Sequence, residues 1–162
     1  NISKQNPSMV KIMVYYIAKN KDISDTLCEE FKALSLGFGV KLDFINLFSK
    51  SIKEGQKQDS QEAQKSYTKE FLKVFKNQQC KIALSPNGKS VDSFAFSKLL
   101  ENKGEIAFFI GGAYGLEESF IQKCHYSLSL SNLTFSHKVA KVVVSEQIYR
   151  AFCLINNHPY HK

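Results

Sequence analysis

The sequence has 162 residues, 43% of them apolar and 23% charged, which is the size and makeup of one globular domain with a real core. It holds no apolar run long enough to cross a bilayer, and its polar first nine residues carry no signal-peptide pattern. The formal charge of +7 fits a protein that meets a polyanion and fits equally a lysine-rich solvated surface.

Residues 1–9 are read as an extension, native or left by expression, and the domain as residues 10–162. The run VKIMVYYI over residues 10–17 predicts a buried strand. Asp22 and Ser24 are candidate caps for a helix carrying Ile23, Leu27, Phe31 and Leu34, which Gly37 and Gly39 stop. Residues 40–48 predict a second strand. The polar stretch 49–61, SKSIKEGQKQDSQ, reads as a long mobile connection. Ala63, Tyr67, Phe71, Leu72 and Phe75 mark an amphipathic helix.

Residues 80–84 predict a third strand ending in the turn SPNGK. Ser90 is placed to cap the next helix, with Phe94, Leu99 and Leu100 on its apolar face and Gly104 closing it. Residues 105–110 are the most strand-like run and end at Gly111-Gly112. A short helix over 116–123 and a last strand over 126–130 follow. Residues 137–154 form a helix apolar nearly all round, suited to a core or a subunit interface. Residues 156–162 are not helical, and by composition alone they read as a frayed end. The alternation of strands and helices predicts an α/β domain, a mainly parallel sheet with helices on both faces.

Cys28, Cys80, Cys124 and Cys153 form no C-x-x-C pair, so zinc-knuckle and thioredoxin-like chemistry are disfavoured and reduced thiols in a cytoplasmic protein are expected. No carboxylate pair, nucleophile triad or metal cluster stands out, and His125 and His137 read as structural. Ligands of open α/β sheets bind beyond the carboxyl ends of the strands. Three loops meet that description: the one after Leu84, the run 111–115 (GGAYG), and the run 130–135 (LSNLTF). The glycine run matches neither a dinucleotide fingerprint nor a phosphate-binding loop, and a plain tight turn explains it as well. The third loop mixes enclosing side chains with hydrogen-bonding groups, the makeup of a small-ligand pocket, while Thr134 or Ser136 could cap the last helix. Glu146 and Arg150 stand four apart, as an ion pair on a helix would.

The segments IAFFIGGAYGLEESF and SLSLSNLTFSHKVAKVVVSEQIYRAFCLINNHPYHK together resemble the RlmH family, most specifically through EQ-x-YRA and NHPYH. The likeness runs from Val10 to Lys162 and places the family's start at Met9. It implies a single-domain SPOUT-class α/β fold with a C-terminal trefoil knot, a rarity among folds. It also implies a homodimer, without metal or membrane attachment, that transfers methyl from S-adenosylmethionine to N3 of a pseudouridine in 23S ribosomal RNA on the ribosome. By position, the cofactor contacts implied are Leu84, Gly111, Leu130, Ser131, Asn132, Leu133, Thr134 and Phe135. The functional tail implied is Arg150, Tyr160 and His161, with both protomers serving one site. Ala113, Tyr114 and Ser136 depart from the family's usual residues. A non-catalytic ribosome-binding protein of the same fold, and an α/β enzyme for a small metabolite, are the alternatives.

Overall fold

A computed structural model describes residues 9–162, so the expected extension lies outside the described residues except for Met9. The elements in order are β1 (Val10–Tyr16), α1 (Ile23–Leu36), β2 (Val40–Asn46), α2 (Lys50–Gln58), α3 (Ser60–Leu72), β3 (Cys80–Ser90), α4 (Ser93–Leu100), β4 (Glu105–Ile110), α5 (Glu118–Ile121), β5 (Tyr126–Ser129) and α6 (His137–Ile155). The five strands form one sheet in the order β2-β1-β4-β3-β5, and every pairing is parallel.

A parallel sheet must be covered on both faces, which is why β1 and β4 read as nearly unbroken apolar runs. Strand alternation then divides their side chains between two cores. Ile106, Phe108 and Ile110 pack with Phe96 and Leu100 of α4 and with Val144, Ile148 and Phe152 of α6. Ala107 and Phe109 pack with Ile52 of α2, Tyr67 and Phe71 of α3, and Phe120 of α5. The α/β arrangement expected from the sequence is therefore present, and α6 is apolar nearly all round because it lies between α1, α4 and the sheet.

The connection expected over 49–61 is instead helical. Ser49 caps α2 by accepting the Ile52 amide at 3.2 Å, and Ile52 is fully buried. Gly55 lets α2 close on α3, since a Cβ there would come within 2.9 Å of the Glu62 carbonyl oxygen. One isoleucine and one glycine leave almost no periodic signal, and the polar remainder faces solvent. Ile52→Ala is expected to cost about 2–5 kcal/mol in chemical denaturation. A cost near zero is what a mobile connection would give.

The turn expected at 85–89 is the outer part of β3. After an irregularity past Leu84, Lys89 and Ser90 pair with Leu128 and Ser129 of β5. Gly88 makes this crossing possible, because a Cβ there would lie 2.6 Å from the Leu128 backbone. Asp92, not Ser90, caps α4, its carboxylate accepting the Ala95 amide at 2.8 Å. α4 ends before Gly104, and Asn102 takes the left-handed conformation (φ 61°) beyond it. Among the described residues, no helix is long and apolar enough to cross a membrane.

Candidate active site

The carboxyl ends of β4, β3 and β5 lie side by side, so the three loops singled out in the sequence meet. Between them opens a cavity of about 330 Å³. Leu84, Ser85 and Pro86 form one wall, Ile110 with residues 111–115 a second, and Leu130, Ser131, Leu133, Thr134 and Phe135 a third. His137 and Ala140 of α6 complete it. Every expected cofactor residue borders this space except Asn132.

Local hydrogen bonds shape the walls. Ser129 Oγ donates to the Ser131 carbonyl at 2.8 Å, and Ser131 Oγ accepts the Leu133 amide at 3.0 Å, curling the loop around the cavity. Ser136, rather than Thr134, caps α6. In the glycine loop, Gly115 (φ 74°) closes a turn whose amide donates to the Gly112 carbonyl at 3.1 Å. Gly112 is needed for another reason: a Cβ would sit 2.5 Å from the buried Tyr67 hydroxyl. Gln64 Nε2 donates to the Tyr114 carbonyl at 2.7 Å. The loop is thus a tight turn and a cavity wall at once, clamped by α3.

His137, read as structural, stands on the cavity wall. Burial, assisted by neighbouring Lys138, holds its pKa below the usual imidazole value, so it is neutral at neutral pH. Its only sequence signal was its place at the start of the last helix, directly after the third loop.

One turn on, Lys141 is buried, with Nζ 2.5 Å from Asp25 Oδ1 and 4.1 Å from the centre of the Tyr16 ring. Burial would raise the Asp25 carboxyl, but the Lys141 bond, the Asp22 amide and the lysine charge outweigh it and leave it lowered. Burial would likewise lower Lys141, but Asp25 leaves it raised. Asp25 therefore contributes stability above the ordinary carboxylate range, lost as pH falls through its lowered folded value. Lys141 contributes below the ordinary lysine value, and that share is lost as pH rises through its raised one. Lys141→Met is expected to flatten the acid limb of the Tm–pH curve. An unchanged acid limb would show that the pair contributes nothing to that limb.

Arg150, Tyr160 and His161 gather elsewhere, around Glu146. Arg150 Nε and Nη2 donate to Glu146 Oε1 at 2.9 and 2.6 Å. The Tyr160 hydroxyl donates to the same oxygen at 3.0 Å, and Arg150 lies over the Tyr160 ring at 4.8 Å. Arg150 Nη1 stands 3.1 Å from His161 Nδ1, and Phe94 meets the His161 ring edge-on. The tail is docked, not frayed, and Glu146 is the hub that sequence reading took for a simple ion-pair partner. A guanidinium can only donate, so His161 Nδ1 accepts and the neutral ring carries its proton on Nε2. Burial, with the Glu146 bond, raises Tyr160, which keeps its proton at neutral pH.

The tail and the cavity do not meet within one chain. Ala140 is the last α6 residue on the cavity wall, and Arg150 follows ten positions later, about 15 Å along the helix axis. The tail also packs toward the opposite edge of the sheet, where Phe38, just before β2, touches His158 and Tyr149. Among the described residues, no group of three or more His, Cys, Asp or Glu side chains could hold a metal ion.

A family model described as "Predicted SPOUT methyltransferase" matches residues 10–161. The chain is 48% identical over 154 residues to a ribosomal RNA large subunit methyltransferase H of Wolinella succinogenes, covering 94% of this chain and 100% of that protein. Proteins of the same name from a Nitratiruptor species and from Helicobacter acinonychis are 44% and 46% identical, aligned over 95% and 94% of this chain and all of theirs.

Proposed function

The chain belongs to the SPOUT methyltransferases, within the ribosomal RNA large subunit methyltransferase H family, and from that premise we propose that it moves a methyl group from S-adenosylmethionine to N3 of a pseudouridine in 23S ribosomal RNA on the ribosome. The observation that carries this reading is the cavity built from three loops at one sheet edge, inside the segment that matches the family. Its chemistry suits an adenosyl group: Leu130, Leu133 and Phe135 can enclose a flat ring, while loop amides and carbonyls address its polar edge. A sulfonium methyl, once bound, is already activated for displacement.

What remains for the protein is alignment and charge. Positioning alone can supply about 7–11 kcal/mol of such a barrier in favourable cases. In the proposed mechanism Arg150 draws the base or its phosphate into place and offsets charge building on the base oxygens. Tyr160, protonated and held by Glu146, orients Arg150. His161, with its proton on Nε2, donates a hydrogen bond to a base oxygen and steadies the negative charge left on the base when the imide proton passes to solvent water. The separation along α6 supports a homodimer in which the tail of one protomer serves the cavity of the other. The reading extends to the trefoil knot, supported by the run of β3 past Leu84 across β5, and to a cytoplasmic location beside the ribosome.

Labelled S-adenosylmethionine supplied with ribosomes from a strain lacking this protein tests the reaction. Label recovered on N3 of a pseudouridine is expected. Cofactor binding without transfer would assign another RNA, and neither binding nor transfer would favour a non-catalytic ribosome-binding protein. His161→Ala is expected to lower kcat with KM little changed, and full activity would remove His161 from the mechanism.

A further inference from the structure

α2 begins where β2 ends and runs across the sheet edge that carries the cavity. Asn46 fixes the start, its amide oxygen accepting the Ala18 and Phe48 amides at 3.0 Å each, which joins the loops leaving β1 and β2. The far end of α2 reaches the donor loop: Gln56 accepts the Tyr67 hydroxyl at 2.5 Å, and that hydroxyl is the atom against which Gly112 packs. Ile52 and Gly55 turn inward. Lys50, Lys53 and Lys57, spaced to share one helix face, turn outward and border a groove with Phe48 and Ser49. Lys19 and Lys21 extend this basic strip along the loop after β1.

Lys19, Lys21, Lys50, Lys53 and Lys57 are all exposed, and among the described residues none lies in an ion pair. Of the other described lysines, Lys32, Lys65, Lys73, Lys76, Lys98, Lys138 and Lys141 each face a carboxylate within 4.0 Å, while Lys11, Lys41, Lys69, Lys81, Lys89, Lys103, Lys123 and Lys162 lie in no ion pair and are scattered over other elements. Glu54 is the one carboxylate in the groove. Asp22 and Asp25 nearby are held by Lys138 and Lys141. Five unpaired lysines thus lie on one strip that leads toward the cavity, three of them on a single helix face.

We propose that the face formed by Lys50, Lys53 and Lys57 of α2, continued by Lys19 and Lys21, is the surface on which the ribosomal RNA backbone docks, with its phosphates guiding the target base to the cavity. This rests on the reading of the protein as a ribosomal RNA methyltransferase. Neighbouring parallel strands lie about 4.8 Å apart, so the three steps from β2 to β3 cover about 14 Å, on the order of four nucleotides at about 3.4 Å each. A phosphate track on α2 is therefore within reach of a base at the cavity.

The test is binding of the full-length protein to ribosomes from a strain lacking it, by filter retention between 50 and 200 mM salt, with S-adenosylmethionine affinity and Tm as controls. The triple variant K50A/K53A/K57A is compared with K69A/K73A/K123A, which removes equal charge where α3 ends and β5 begins. The expected result is ribosome binding about tenfold or more weaker for the first variant, with a salt slope shallower by about three, and little change for the second. Cofactor affinity stays unchanged in both. Equal loss in both variants, or no loss in the first, overturns the α2 surface and leaves the methyltransferase reading standing. Wild-type protein that does not bind ribosomes at all overturns both.

Discussion

Arg150→Ala is expected to slow methyl transfer to ribosomes by about 10²–10³-fold, the usual cost of removing one preorganised donor to developing charge, while S-adenosylmethionine affinity is unchanged. The two halves of this expectation come from different parts of the structure. The guanidinium makes two contacts to Glu146, one to His161 and one to the Tyr160 ring, so it is the atom group through which the tail is organised. It also stands about 15 Å down α6 from the cavity wall, too far to touch a cofactor bound in its own chain. Arg150→Lys should rescue little. An ammonium lacks the planar fork that addresses Glu146 and His161 together. Titration calorimetry with the cofactor and single-turnover transfer separate the two effects. A weakened cofactor with an unchanged transfer rate would place Arg150 in the wrong half of the site.

Gly112→Val should do the reverse. Its Cβ would meet the Tyr67 hydroxyl at 2.5 Å and the ring carbon behind it at 2.6 Å. Tyr67 is fully buried among Phe71, Phe109 and Phe120 and has nowhere to go, so the loop must move. Overpacking of this kind costs about 1–3 kcal/mol. Where that cost falls on the conformation of the loop that walls the cavity, cofactor affinity drops by roughly 5- to 150-fold. The fold survives, because the glycine lies in a loop and not in a strand. Unchanged affinity would show that the loop does not hold the cofactor.

Much of this was readable beforehand, and the reasons differ by element. β1, β4 and α6 were legible because burial on more than one side leaves continuous apolar runs. The three loops were legible because parallel sheets bind ligands at the carboxyl ends of their strands, and the family resemblance picked out the same loops. α2 was not legible. Its stability rests on Ile52, Gly55 and the Ser49 cap, and a helix buried on so narrow a stripe looks like a linker. The outer part of β3 was hidden because Pro86, Asn87 and Gly88 have turn chemistry, yet Gly88 serves a close approach to β5. His137 was undervalued because a single histidine carries no pattern until the fold places it on the cavity wall. The separation of Arg150 from the cavity needed three dimensions altogether, since sequence spacing gives no direction along the sheet.

That separation makes one measurement decisive: methyl transfer to ribosomes by a mixture of subunits, Arg150→Ala co-expressed with Gly112→Val, at a limiting S-adenosylmethionine concentration where the Gly112→Val cavity binds little cofactor. In a dimer with shared sites, a mixed pair holds one intact cavity facing one intact tail. Random pairing should then restore about a quarter of wild-type activity. Activity no higher than that of the two variants prepared separately would contradict a site assembled from two protomers.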